Sequence, residues 1–360
     1  MTSRLPENCL LLYADLMQKM ALHAPASGGA FVSKTIKGKT YWYHQTDTAA
    51  GRKQAYMGLE SAELFAEIAE RKKAMARHGE LLAERRRLVA MLGVAGAHLE
   101  KGRVAKIIGK LSDAGLFNAG GVMVGSFAFA CYGNMLGVKT SGALSRTEDI
   151  DFSLARTIAV AFNRNMRKVL LDAEPELRTP IQINPQIIPF EMATPDGFKV
   201  EFLTTKRAAS DDSPVNIERF NVYAQPLEFM DYLLTEAQSA AVLNGAGIFV
   251  TVPDPARFAL HKLAVSQLRP IGMQAKIRKD IAQASVLLDI LSQDNPGVLI
   301  FAMDAVFKRD DALPHFVCSA IARLDHSLHE KVIEAYGRDI PVVTLDTKTG
   351  RYVAHSKGHF

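Results

Sequence analysis

Arg146-Thr147-Glu148-Asp149-Ile150-Asp151-Phe152-Ser153 is the stretch on which the fold class turns. On a strand, residues two apart share a side, so Asp149 and Asp151 project together while Ile150 and Phe152 face a core. Two neighbouring carboxylates repel, raise each other's proton affinity and cost stability. A divalent cation between them, Mg2+ or Mn2+, removes that cost. Two unrelated acids on a solvated edge strand would be spelled the same way, so the surrounding sequence has to decide.

Upstream, Val122-Met123-Val124-Gly125-Ser126-Phe127-Ala128 reads as an apolar strand, a small-residue turn and a helix start. Gly125 has no Cβ to keep a phosphate from the backbone, and Ser126 with the first helical amides supplies donors. Downstream, Lys199-Val200-Glu201-Phe202-Leu203 alternates, which sets Glu201 on the side opposite Val200 and Phe202. If this strand neighbours the Asp149 strand, Glu201 completes a carboxylate cage; Glu191, Asp196, Asp211 and Asp212 are alternative third acids. Divalent ions between carboxylates and phosphate oxygens suit in-line displacement at phosphorus. Arg146, on the approach to the acidic strand, is a candidate phosphate contact. Lys262 is another, on an amphipathic helix where a solvated stem over apolar surface is the alternative. Arg269, Lys276, Arg278 and Lys279 follow closely.

In this order, Gly125-Ser126, then Asp149-Ile150-Asp151, then Glu201, the chain resembles the polymerase-β-like nucleotidyltransferase superfamily. Val124-Gly125-Ser126-Phe127-Ala128 and Thr147-Glu148-Asp149-Ile150-Asp151-Phe152 are most similar to the bacterial stand-alone branch called nucleotidyltransferase family 8. The likeness covers about Arg103 to Leu291, with Pro255-Ala256-Arg257-Phe258-Ala259-Leu260-His261-Lys262-Leu263 as the helix after the core. It implies a bacterial enzyme that moves a nucleoside monophosphate from a nucleoside triphosphate, with ATP the expected donor, onto an acceptor, with RNA one candidate. It also implies magnesium or manganese at Asp149, Asp151 and Glu201, and nucleotide contacts at Gly125, Ser126, Lys262 and Arg146. Two departures stand out. The gap from Ser126 to Asp149 is longer than usual, implying an inserted loop around Lys139 to Ser145, and the third acid is Glu where Asp is commoner.

The expected fold class is α+β, with a mixed sheet at the centre, a helical C-terminal region and a small N-terminal β-meander plus long helix. Residues 1–100 are expected to form the N-terminal unit, 101–253 the catalytic core, 254–345 a helical domain and 346–360 a frayed tail. In the first unit, Asn8 to Leu22 reads as a helix. Phe31 to Gln45 reads as a hairpin turning at Lys37-Gly38, with a third strand near Arg52 to Met57. A helix from Ser61 to about His98 carries Arg71-Lys72-Lys73 and Arg85-Arg86-Arg87, fourteen residues apart and so partly on one face. Tyr41, Trp42 and Tyr43 among Lys34, Lys37, Lys39, Arg52 and Lys53 have the composition of a nucleic-acid platform. The segment from Arg103 to Phe117 before an apolar strand also imitates a winged helix. A catalytically silent nucleic-acid-binding protein is therefore the rival reading, although unneutralised Asp149 and Asp151 would repel phosphate.

Bulk properties agree with a folded chain. Of 360 residues, 48% are hydrophobic and 22% charged, which excludes wholesale disorder and fibrous architectures. The net charge of +5 leans toward a polyanionic partner. Cys9, Cys131 and Cys318 are widely spaced, so neither a zinc site nor a disulfide framework is expected, and a reducing, cytoplasmic setting is. Glu7 and Asp15 interrupt the first apolar run, so no export signal is expected. The uncharged stretch from Ala114 to Val138 is rich in glycine and carries Asn118 and Asn134, so it is expected as strand, turn and helix, with no membrane partner.

Overall fold

A computed structural model describes residues 3–21, 30–48, 51–145, 147–155, 164–180, 189–208, 211–346 and 351–355. The chain opens with β1 (Ser3–Arg4) and α1 (Asn8–Ala21). Cys9, Tyr13, Leu16 and Met20 recur at helical spacing and form the buried stripe of α1. Then come β2 (Ala30–Ile36), β3 (Lys39–Thr48) and β4 (Gly51–Leu59), an antiparallel meander. The β2–β3 turn is Lys37-Gly38, both with positive φ, as a two-residue hairpin of this twist demands.

Next is α2 (Ala62–Val94), whose start, Leu64 and Ile68, is buried and whose far end buries Leu88, Val89 and Leu92. The intervening turns are mostly exposed. Arg85 turns inward, donating from Nε to the Ala246 carbonyl and from Nη2 to the Gly247 carbonyl, both at 2.8 Å. Arg71 instead pairs with Glu67 on the surface. The expected common basic face is therefore broken, because two carbonyls of a turn claim Arg85.

From α3 (Gly102–Asp113) the central region begins. It continues through β5 (Val122–Val124), α4 (Gly125–Met135), β6 (Val138–Lys139), the one-turn α5 (Gly142–Ser145), β7 (Asp149–Ser153) and α6 (Met166–Ala173). It is completed by β8 (Glu191–Ala193), β9 (Lys199–Thr205), β10 (Val215–Ile217), β11 (Val222–Leu227), α7 (Met230–Leu234), β12 (Gln238–Val242) and β13 (Ile248–Val252). The main sheet runs β10-β11-β9-β7-β5, with β8 also paired to β9. β7 is parallel to β9 and antiparallel to β5, so the sheet is mixed. The segment expected as inserted loop starts on β6, which pairs with β1, and ends in α5.

Helices follow: α8 (Pro255–Leu268), α9 (Gln274–Asp294), α10 (Pro296–Phe307), α11 (Leu313–Ile321) and α12 (His326–Tyr336). One apolar core runs from Ile107 through Phe152, Phe202 and Phe258 to Tyr336, joining the sheet to these helices. A second collects α1, the end of α2 and Leu243. The expected α+β class is what the chain adopts. The sequence from Pro314 to Tyr336 predicts a single helix; the structure has two, because Asp325 accepts from the Leu328 amide at 3.1 Å and starts α12 afresh.

The C-terminal stretch expected to fray contains β15 (Arg351–His355), paired to β14 (Val342–Asp346), with Tyr352 against His315 at 5.3 Å between ring centroids. The winged-helix imitation ends at β5, which pairs with β7 inside the main sheet and leads straight into α4. The uncharged stretch breaks into turns, β5 and α4, and among the described residues no helix is long and apolar enough to cross a membrane. Ile181 to Ile188, whose sequence predicts an extended segment, lies outside the described residues.

Candidate active site

The alternation read in the sequence is the alternation observed. Ile150 and Phe152 have no exposed surface, while Asp149 and Asp151 keep partial exposure on the other face of β7. β7 is flanked on both sides, so a solvated edge strand is not what carries the two acids. Register then decides their neighbours. Asp151 lies opposite Val124 of β5 and opposite Glu201 of β9, and Glu201 lies opposite Glu191 of β8. Three carboxyl-bearing positions thus form one row across three adjacent strands.

Gly125 follows β5 directly with φ of +66°. A Cβ at this position would collide with Asp151 Oδ2, so the missing side chain makes room for that carboxylate. The sequence suggested space for a phosphate there. The structure gives Gly125 a prior duty, which is to let the turn and the acidic strand approach each other. α4 starts at Gly125 with no side-chain cap, leaving its first amides to other acceptors. Ser126 is buried, and its Oγ lies 3.4 Å from Gln283 Nε2, which also donates to the Leu144 carbonyl at 2.8 Å. Gln283 thereby ties the turn to α5 and α9; its Oε1 is buried without a partner among the described residues.

Opposite the acids stands a cationic wall. Asp280 on α9, 3% exposed, receives Lys262 Nζ at 2.6 Å and also Arg269 Nε. Burial alone would raise its proton affinity, but Lys262 and then Arg269 outweigh burial and hold the carboxyl below the ordinary range. Lys276 Nζ reaches Asp149 Oδ2 at 3.3 Å, and the Thr147 hydroxyl donates to Asp149 Oδ1. Against the opposing effect of burial, Thr147, Lys276 and Lys279 keep Asp149 below its usual range. Burial pushes the Lys279 ammonium down, partly offset by Asp149.

Asp151 behaves in the opposite way. No ion pair reaches it among the described residues; burial, then Asp149, push its carboxyl up to about 6. Burial, then Asp151, Asp149 and Glu191, likewise raise Glu201. Two neighbouring acids whose proton affinity is raised first by burial and then by nearby carboxylates are poised for a cation.

These groups line one cavity of about 470 Å³, within the range of small-ligand sites. Gly125, Ser126, Asp149, Asp151 and Glu201 form its acidic side, facing Lys262, Arg269, Lys276 and Lys279. Its other end is apolar, with Met230, Leu233, Phe258, Val265 and Leu268. His261 sits in this wall, pushed down to about 4 by burial and then by Lys262, so it is a neutral packing residue at neutral pH.

Of the residues proposed from the sequence, Gly125, Ser126, Asp149, Asp151, Glu201 and Lys262 meet here, and Arg146 lies outside the described residues. Among the alternative third acids, Asp196 pairs with Arg103 and Asp212 with Lys206, both away from the cavity. Glu191 is beside Glu201 and bound to Lys199 at 3.0 Å. Asp280 and Gln283 were missed; each is a polar residue inside the apolar stripe that Ala284, Leu287 and Leu291 continue, and that misplacement was the available signal.

No curated protein and no solved structure matches the chain. The profile of one family, described as nucleotidyltransferase, matches residues 102–306, which is more than half of the chain and holds every cavity residue named above. The order of turn, acidic strand and third acid, the register that brings them together and this match agree, and the chain belongs to the nucleotidyltransferase family.

Proposed function

We propose that the chain transfers a nucleoside monophosphate from a nucleoside triphosphate, with ATP the expected donor, to an acceptor hydroxyl or phosphate and releases pyrophosphate. The observation that carries this reading is the pairing of Asp151 on β7 with Glu201 on β9, beside the Gly125 turn that follows β5, facing Lys262, Arg269, Lys276 and Lys279 in one cavity.

Among the described residues, no three acidic, histidine or cysteine side chains close around an ion by themselves. The donor set nonetheless fits a hard divalent cation, since it offers clustered carboxylate oxygens, and burial followed by acidic neighbours raises the proton affinity of Asp151 and Glu201. Asp149 and Asp151, with Glu201, would hold Mg2+ or Mn2+, and phosphate oxygens and water would complete the shell. Such an ion supplies Lewis-acid stabilisation of the charge that builds on the transferred and leaving phosphates.

The remaining roles belong to side chains and amides of this chain. The uncapped start of α4 at Gly125 and Ser126 offers amides to the outer phosphates. Lys262 and Arg269, fixed by Asp280, and Lys276 and Lys279 neutralise the triphosphate. Glu201, paired across the sheet with Asp151, takes the proton of the acceptor hydroxyl as that oxygen bonds to the α-phosphorus and the bond to the bridging α–β oxygen breaks. The apolar end of the cavity shelters the base or the acceptor. An enzyme of this design needs no covalent intermediate.

The test is incubation of the purified protein with nucleoside triphosphates labelled at the α-phosphate, Mg2+ or Mn2+, and separately total RNA, cell lysate or small-molecule pools. Label appearing on any acceptor with stoichiometric pyrophosphate supports the reading, and its loss in Asp149→Ala/Asp151→Ala assigns it to this site. A folded protein that transfers no label from any triphosphate with either metal would favour the silent binding protein.

A further inference from the structure

The N-terminal meander has two unlike faces. On one, Trp42 packs edge-on against Phe65 of α2 at 5.7 Å between centroids, and its Nε1 donates to Glu60 Oε2 at 3.3 Å. Phe31 and His44 share this side at 5.1 Å. Trp42, the residue most suggestive of ligand stacking in the sequence, is thereby committed to holding the sheet on its helix.

The other face is open. Tyr41 and Tyr43 of β3 lie beside Tyr56 of β4, with ring centroids 6.3 and 5.7 Å from it, and Tyr56 is 60% exposed. The extra residue in β4 where the register shifts beside Trp42 and Tyr43 is what lets Tyr56 stand opposite Tyr43. Lys34 lies over the Tyr43 ring at 5.1 Å and donates to Gln54 Oε1 at 2.7 Å. Lys39 lies on this face too, and Lys37 stands in the adjoining turn.

A contiguous row of half-exposed rings is costly on a surface that meets only water. An aliphatic partner would not need the hydroxyls, amides and ammonium groups that interleave these rings. A flat, sequence-tolerant ligand with π faces and a regular negative backbone would use all of them. We propose that this face binds single-stranded nucleic acid, with bases stacked on Tyr43 and Tyr56 and backbone phosphates met by Lys34, Lys37 and Lys39. The binding is independent of the transfer reaction, since no residue of the face lines the catalytic cavity.

The test uses the full chain and fluorescence anisotropy with labelled oligouridylate and oligothymidylate of roughly twenty nucleotides, long enough to cover one binding face. RNA and DNA arms tell which strand is preferred, and either result supports the face. Tyr43→Ser/Tyr56→Ser should weaken binding about tenfold or more, while Tyr43→Phe/Tyr56→Phe keeps it within about twofold because the stacking surface remains. Lys34→Gln should flatten the salt dependence of binding. Asp149→Ala/Asp151→Ala should bind the oligonucleotides as the wild type does, which separates this face from the catalytic cavity.

Four results overturn the proposal. They are no single-strand binding at low salt, duplex bound as tightly as single strand, polyglutamate competing as well as RNA, or a folded serine variant that binds like the wild type. Should the serine variant lose the meander, shown by its melting curve, a phenylalanine variant that binds poorly while folded would still refute stacking.

Discussion

Asp151→Asn should make the metal-free protein more stable at pH 8 while abolishing transfer. Burial and Asp149 raise the Asp151 carboxyl from 3.8 to about 6, so the folded state prefers it protonated. A group raised on folding contributes its stability below its unfolded value and loses it as pH climbs through the folded value. From pH 3 to pH 8 the wild type should therefore forfeit about 3 kcal/mol at this residue, or about 1–2 kcal/mol after allowing for its partial exposure to the cavity. Asparagine keeps the shape and removes the titration. Urea unfolding followed by circular dichroism at 222 nm, with chelator present, should show Asp151→Asn more stable than wild type at pH 8, and at pH 4.5 the difference shrunk to about a third of that. Adding Mg2+ or Mn2+ should stabilise the wild type and leave the variant unmoved. A variant less stable than wild type at pH 8 without metal would refute the electrostatic reasoning, because it would mean Asp151 is already satisfied by the protein.

Other variants probe the supports of the site. Gly125→Ala places a methyl group on Asp151 Oδ2 at a positive φ, so it should lose about 1–3 kcal/mol in a denaturant titration and most of its triphosphate affinity by calorimetry. Asp280→Asn leaves Lys262 and Arg269 without their shared buried carboxylate and should cost about 3 kcal/mol, read from the same denaturation curve, together with weaker triphosphate binding. The thermal shift that Mg2+ gives the wild type should grow from pH 5 to pH 8, as Asp151 and Glu201 ionise; a shift constant over this range would detach metal binding from those carboxyls.

The legible part of this protein was periodic. Alternation at 149–153 and 199–203 gave the facing of Asp149, Asp151 and Glu201, and Lys37-Gly38 gave its hairpin, because a strand's period of two and a turn's positive φ leave direct marks on residue choice. Strand order leaves no such mark. That Asp151 stands opposite Glu201, with Glu191 beyond it, is a fact of register between segments some fifty residues apart. Nor does sequence show which way an amphipathic cation turns. Lys262 could have been a wet stem, and it is instead pinned by Asp280, eighteen residues later on another helix. Trp42 and Arg85 misled for the same reason, since each is committed to a partner, Phe65 and the 246–247 carbonyls, that composition does not reveal. The strands from 215 to 252 are short and bounded by loops, so local pattern alone did not separate them.

The most direct measurement is electron paramagnetic resonance of Mn2+ titrated into the protein with a non-hydrolysable ATP analogue. If paired carboxylates and a triphosphate share a cation, Mn2+ should be immobilised on the wild type with the analogue present and stay on the freely tumbling analogue with Asp149→Asn/Asp151→Asn. Equal immobilisation by both proteins would contradict the account and put the metal elsewhere.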